Sequence, residues 1–166
     1  LGTAWTFRFN ATGEIVSNCL KRDAKEFTRE RLSLKTCSVL LNSLVEKYPQ
    51  KRFIFTVSPI RHLKDGAHGN QISKSTLLMA VESVVENHPD QCGYFPAYEI
   101  MMDELRDYRF YAEDMVHPSQ QAVNYIWERF CDFALPETER ATLEKNRKEF
   151  LQSQHRIITK PQNTDK

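Results

Sequence analysis

The four cysteines of this 166-residue chain, Cys19, Cys37, Cys92 and Cys131, form no CxxC pair. Their scatter argues against a structural zinc site and points to free thiols in a reducing compartment, so a cytoplasmic location is favoured. No apolar run approaches the roughly 18 residues that a bilayer-spanning helix needs, and no membrane partner is implied. Charge of one sign is also lacking. A net charge of +1 gives no overall attraction to nucleic acid. No Ser or Cys stands in a G-x-S-x-G elbow, and no internal repeat is present. An initial Met and a signal peptide are absent too. The start "LGTAWTF" reads as the end of a strand whose beginning lies upstream, so a truncated domain is expected.

What is present suits one globular domain, since 40% of the residues are hydrophobic. Trp5, Phe7 and Phe9 alternate and then meet "NATGE", which reads as a hairpin arm with Gly13 in the turn. Cys37, Leu40, Leu41, Leu44 and Val45 recur at helical spacing until Tyr48-Pro49. The run Phe53 to Val57, between Pro49 and Pro59, reads as a buried parallel strand. A polar loop, "RHLKDGAHGNQ", precedes a helix over residues 73–87. A short strand is expected at Tyr94-Phe95, with a helical turn after Pro96. Pro118 fits the first position of a helix carrying Val123, Ile126, Trp127 and Phe130. These units imply an α/β layered fold with a parallel sheet over residues 1–135. Residues 136–166 read as a charged helix and tail.

In such sheets, sites form in loops at the C-terminal ends of strands. Residues 2–5, 58–70 and 114–119 are the polar segments this rule selects. In the last, "DMVHPS", a carboxylate at Asp114 can accept the Nδ1 proton of His117. Nε2 would then be free to act as a general base. Pro118 also pushes His117 toward an extended conformation. The plainer alternative is a surface acid and a helix-flanking histidine without chemistry. Ser58 ends a strand, but Pro59 removes an oxyanion donor beside it, so a structural hydroxyl is the better reading. Arg61, His62, His68 and Asn70 crowd one loop, where they could bind a polar substrate or merely solvate the connection. His62, His68 and His117 raise the question of a metal, but no carboxylate or cysteine spacing supports one. Ser119 suits a helix cap better than a partner for the imidazole. No convincing nucleophile stands in the chain.

The stretches "LGTAWTFR", "TVSPIRHLKDGAHGNQ", "YEIMMDELRDYRFYAEDMVHPS" and "NYIWERF" resemble the GSCFA family of bacterial proteins, which is related to the SGNH, or GDSL-like, hydrolases. The resemblance runs from Leu1 to about Phe133. It implies a flavodoxin-like three-layer α/β/α sandwich with a parallel sheet, of which the first strand or strands are missing. It also implies a serine nucleophile within a Gly-Ser-Cys-Phe-Ala motif, which would lie upstream of Leu1. His117 becomes the general base and Asp114 its orienting acid. Gly2 matches the glycine of a G-x-N-D block, but this chain reads "GTAW", with Ala4 where an oxyanion-hole Asn is expected. Asn18 or Asn70 could supply an amide instead. For Arg61 and His62, within "SPIRH", the resemblance makes substrate binding plausible.

The expectation is therefore a serine esterase or acyltransferase domain acting on a small-molecule or carbohydrate ester, without a cofactor. As given, the chain should be inactive. A non-catalytic module binding carbohydrate or another polar ligand on the same scaffold is the alternative. Self-association through an exposed sheet edge would accompany the missing strands.

Overall fold

The computed structural model describes residues 1–17 and 21–154. Within them the chain is a mixed α/β structure with two small sheets and five α-helices. The first sheet is antiparallel, ordered β2-β1-β3, from Trp5–Phe9 (β1), Ile15–Val16 (β2) and Phe27–Arg31 (β3). Gly13, at φ 73°, turns the β1–β2 hairpin as expected, and its N–H donates to the Phe9 carbonyl over 2.8 Å. β3 carries three charged residues in "FTRER" and gave no strand signal. It pairs because its charges have partners. Phe7 lies opposite Arg29 and Trp5 opposite Arg31, while Arg8 forms an ion pair with Glu30. Arg29 stacks over the Trp5 ring at 4.2 Å and Arg22 over Phe9 at 4.7 Å. One face of this sheet thus alternates aromatic rings with guanidinium groups.

The second sheet pairs Phe53–Phe55 (β4) with Cys92–Tyr94 (β5) in parallel. Leu1 extends it on the other side of β4. Its amine donates to the Thr56 carbonyl over 2.7 Å, and its carbonyl accepts from the Ser58 N–H over 2.8 Å. Bonds to residues 56 and 58 that flank Val57 are the signature of a parallel ladder. Helices Leu34–Lys47 (α1) and Gly66–Asn87 (α2) cover one face of this sheet. Val45 of α1, Phe55 of β4 and Val81 and Val84 of α2 form one core cluster, all 7% exposed or less. Cys37, Val57, Leu77 and Ala80 continue it toward the Leu1 segment. Each fully buried valine contributes about 1.5–3 kcal/mol. β4 is not buried on both sides as expected, because Ile54 points away from α1 and α2 and is 47% exposed.

Ser33 caps α1 by accepting from the Thr36 N–H over 3.1 Å. α2 begins seven residues earlier than the apolar periodicity indicated, so His68 and Asn70 lie on a helix and not in a loop. A 3₁₀ turn, Leu63–Asp65, feeds directly into it. Between the two, Gly66 adopts φ 66° and ψ 172°, a region that essentially only glycine occupies. A Cβ there would meet nothing within 4 Å, so the constraint is purely one of backbone. Gly66→Ala is therefore expected to cost about 1–3 kcal/mol in urea denaturation. A loss below a few tenths would show that the turn relaxes freely.

Ala97–Glu99 (α3) continues as a π-helical turn over Ile100–Leu105, closed by a bond of 3.1 Å from the Arg106 N–H to the Met101 carbonyl. Met101 and Leu105 pack with Ala122 of Gln120–Ala134 (α4). The fifth helix is Glu137–Gln154 (α5). Leu1–Ile126 forms one compact unit, and a second starts at Trp127, so the division falls inside α4. In the second unit Trp127 stacks on Phe130 and Arg140 pairs with Asp132. Cys37, Cys92 and Cys131 are buried free thiols. No described helix is long and apolar enough to cross a membrane.

Candidate functional site

The 110–119 segment does not follow a strand end. It follows the π turn and a 3₁₀ turn, Tyr108–Phe110, and closes on itself. The Ala112 N–H donates to the His117 carbonyl over 2.8 Å, and the Ser119 N–H to the Phe110 carbonyl over 2.7 Å. Pro118 is not the first helical residue. It lies in an isolated bridge opposite Tyr111, and Ser119 caps α4 instead, its Oγ accepting from the Ala122 N–H over 3.3 Å. A hydroxyl that satisfies an orphan N–H is the stronger start signal, and it leaves Pro118 two positions before the first helical residue, Gln120.

Inside this loop Asp114 uses both carboxylate oxygens. Oδ1 accepts from the N–H groups of Val116 (2.9 Å) and His117 (3.0 Å), while Oδ2 stands 2.6 Å from His117 Nδ1. The His117 bonds, with that of Val116, hold the Asp114 carboxyl down at about 2. Asp114 is therefore an acceptor only at neutral pH, so Nδ1 is the donor, and in the neutral imidazole the lone pair lies on Nε2. Because the shift is downward, the loop has this support in full above the ordinary value near 3.8. It is lost as pH falls toward 2. The His117 side chain is 58% exposed, and no described hydroxyl or thiol bonds its Nε2. Burial pushes the thiols of Cys37 and Cys92 up, which makes them poor nucleophiles.

Arg61 ties this loop to the neighbouring one. Its N–H donates to the Val116 carbonyl over 3.2 Å, its Nη1 to the Met115 carbonyl over 3.3 Å, and its guanidinium stacks on Tyr111 at 3.8 Å. Met115, at φ 58°, occupies the left-handed region, and the contacts around it over-determine that conformation. Next in the chain, the His62 N–H is held by Asn70 Oδ1 at 3.0 Å, while its Nε2 lies 3.2 Å from the Gly2 carbonyl. Asn70 thus spends its oxygen positioning His62. Burial, followed by the charge of Lys74, lowers the His62 pKa. Ser58 Oγ accepts from the Ile60 N–H at 3.2 Å, a local turn bond. Ala4 is 1% exposed, its N–H bonded to Ser73 Oγ over 2.8 Å. Asn18 lies outside the described residues. His68 is exposed on α2, and no three His, Cys, Asp or Glu side chains gather among the described residues.

Lys74 was not anticipated. It has no exposed surface, and its Nζ donates to the carbonyls of Gly2 and Ser58, both at 2.6 Å. Desolvation lowers its pKa to about 8. A signal existed. Counting back from Leu77, Ala80, Val81 and Val84 by three and four places Ser73 and Lys74 on the buried stripe of α2.

The three polar segments meet at one cleft of about 820 Å³ beside the antiparallel sheet. Thr3 and Trp5 line it from the first, Arg61, His62 and Lys64 from the second, and Val116 from the third. In comparison with known proteins, the model of the GSCFA family matches residues 1–130. No curated protein matches the chain, and no solved structure does.

Proposed function

Since this chain belongs to the GSCFA family, we propose that it supplies the acid-base half of an SGNH-like serine esterase or acyltransferase. The same reading takes its small parallel sheet as part of a flavodoxin-like α/β/α sandwich. His117 Nε2 takes the proton from a serine hydroxyl as the oxygen attacks an ester carbonyl. The resulting imidazolium is stabilised by Asp114, and it returns the proton to the leaving alkoxide. An acyl-serine remains, and water or an acceptor alcohol then receives the acyl group through the same base. The serine belongs to a Gly-Ser-Cys-Phe-Ala segment outside these 166 residues. The Gly2 N–H, which carries no hydrogen bond to a described residue, is our candidate oxyanion donor.

One observation carries this reading: an ionised carboxylate 2.6 Å from Nδ1 of a solvent-open histidine. The first test is negative. The 166-residue chain should hydrolyse an aryl acetate no faster than its His117→Ala variant. Robust turnover that His117→Ala abolishes would show that a nucleophile lies within these residues. A second reading, a polar-ligand module without catalysis, draws support from Ala4, whose buried methyl cannot present an oxyanion-hole amide. It predicts ligand binding without turnover even when the Gly-Ser-Cys-Phe-Ala segment is present.

A further inference from the structure

The cleft has an uneven charge. Arg22, Arg29, Arg61 and Lys64 line it together with His62, and no Asp or Glu does. Two of the four cations are neutralised from behind. Arg22 pairs with Glu26, and Arg29 pairs with Asp65, whose side chain is fully buried. Arg61 and Lys64 are not. Arg61 spends one N–H on the Met115 carbonyl and its face on Tyr111, which leaves most of its five donors open. Lys64 is exposed, and among the described residues its ammonium enters no ion pair. The 3₁₀ turn Leu63–Asp65 sets the two only three residues apart, next to His62 and Val116. Two uncompensated cations in a concave site raise the local concentration of anions and offer charge-assisted bonds to a carboxylate or phosphate.

From this charge imbalance we infer that the cleft selects substrates bearing an anionic group, carboxylate or phosphate, held by Arg61 and Lys64. This rests on reading the cleft as the substrate site and adds the substrate class. Arg61 has a double task. Its backbone and guanidinium pin the loop that carries the base, and its remaining donors are left for the ligand. Anion capture and base placement thus share one side chain.

The test uses a matched pair of probes, methyl β-glucuronide and methyl β-glucoside, titrated into the 166-residue chain by calorimetry or by amide chemical shift. The glucuronide should bind about tenfold more tightly, as one charge-assisted contact would give. Lys64→Met should remove most of that preference. Because Lys64 supports nothing in the fold, this variant remains folded and keeps the test decisive. Arg61→Met should also remove it, and the preference should shrink as salt is raised. Equal affinity for the two probes, no saturable binding of the glucuronide, or a preference intact in the Lys64→Met, Arg61→Met double variant overturns the inference. His117→Ala is expected to retain the preference. The binding preference needs no turnover, so failure of the two probes to differ sinks this inference alone. A retained preference with no His117-dependent ester turnover, once the Gly-Ser-Cys-Phe-Ala segment is present, sinks the hydrolase reading alone.

Discussion

His117→Ala is expected to lower kcat/KM for an ester by roughly 10³- to 10⁵-fold in any form of the protein that turns one over, because the nucleophile loses its base. Asp114→Asn should lower it by about 10²- to 10⁴-fold for a subtler reason. An asparagine can still accept the two backbone N–H groups through one oxygen, so the loop keeps its shape. Its amide nitrogen then faces Nδ1 and forces the imidazole proton onto Nε2, where the lone pair is needed. Circular dichroism and thermal melts should show both variants folded, since the pair is exposed and adds little to stability. Activity within about threefold of the parent in His117→Ala would end the assignment of this residue as base.

The second large effect concerns Lys74. Its folded pKa, about 8, lies below the ordinary 10.5. Between these values the unfolded chain binds more protons than the native one, so stability rises with pH across that window. The full difference is on the order of 3 kcal/mol. A neutral amine still offers two N–H groups to the carbonyls of Gly2 and Ser58. Lys74→Met removes both donors; the Gly2 carbonyl keeps His62 Nε2 at 3.2 Å, but the Ser58 carbonyl loses its lysine donor, at about 1–3 kcal/mol. Near pH 7 the variant also sheds the cost of a buried charge, which offsets part of that loss. The gap between parent and Lys74→Met should therefore widen from pH 7 to pH 10. Urea denaturation at the two pH values measures it. A gap that stays constant or narrows would mean that the ammonium is not desolvated in the native protein.

Patterns of hydrophobicity made α1, β4 and the β1–β2 hairpin readable, because each buries one stripe or face. They failed at β3, where "FTRER" has no apolar stripe. Its strand character comes from arginines lying on rings that only pairing brings near. They failed again at the start of α2. The 3₁₀ turn and Gly66 launch the helix seven residues before its first buried position would require. Asp114 and His117 were legible because their contact is local, three residues apart. The convergence of Trp5, Lys64 and Val116 on one cleft was not, since it depends on how three loops cross in space. Lys74 stood between these cases. Its place on the buried stripe could be counted, but its carbonyl partners are 72 and 16 residues away.

The loop from Ala112 to His117 closes with its own hydrogen bonds, and Asp114 and His117 are both inside it. Acid and base are therefore held together in one hydrogen-bonded loop, which reaches the cleft through Val116, and Arg61 is the pin that holds that loop in place. If that pin slips, the base is carried away from its target while the pair itself remains internally perfect. A defect of this kind would be invisible in the titration of Asp114 and plain in the rate.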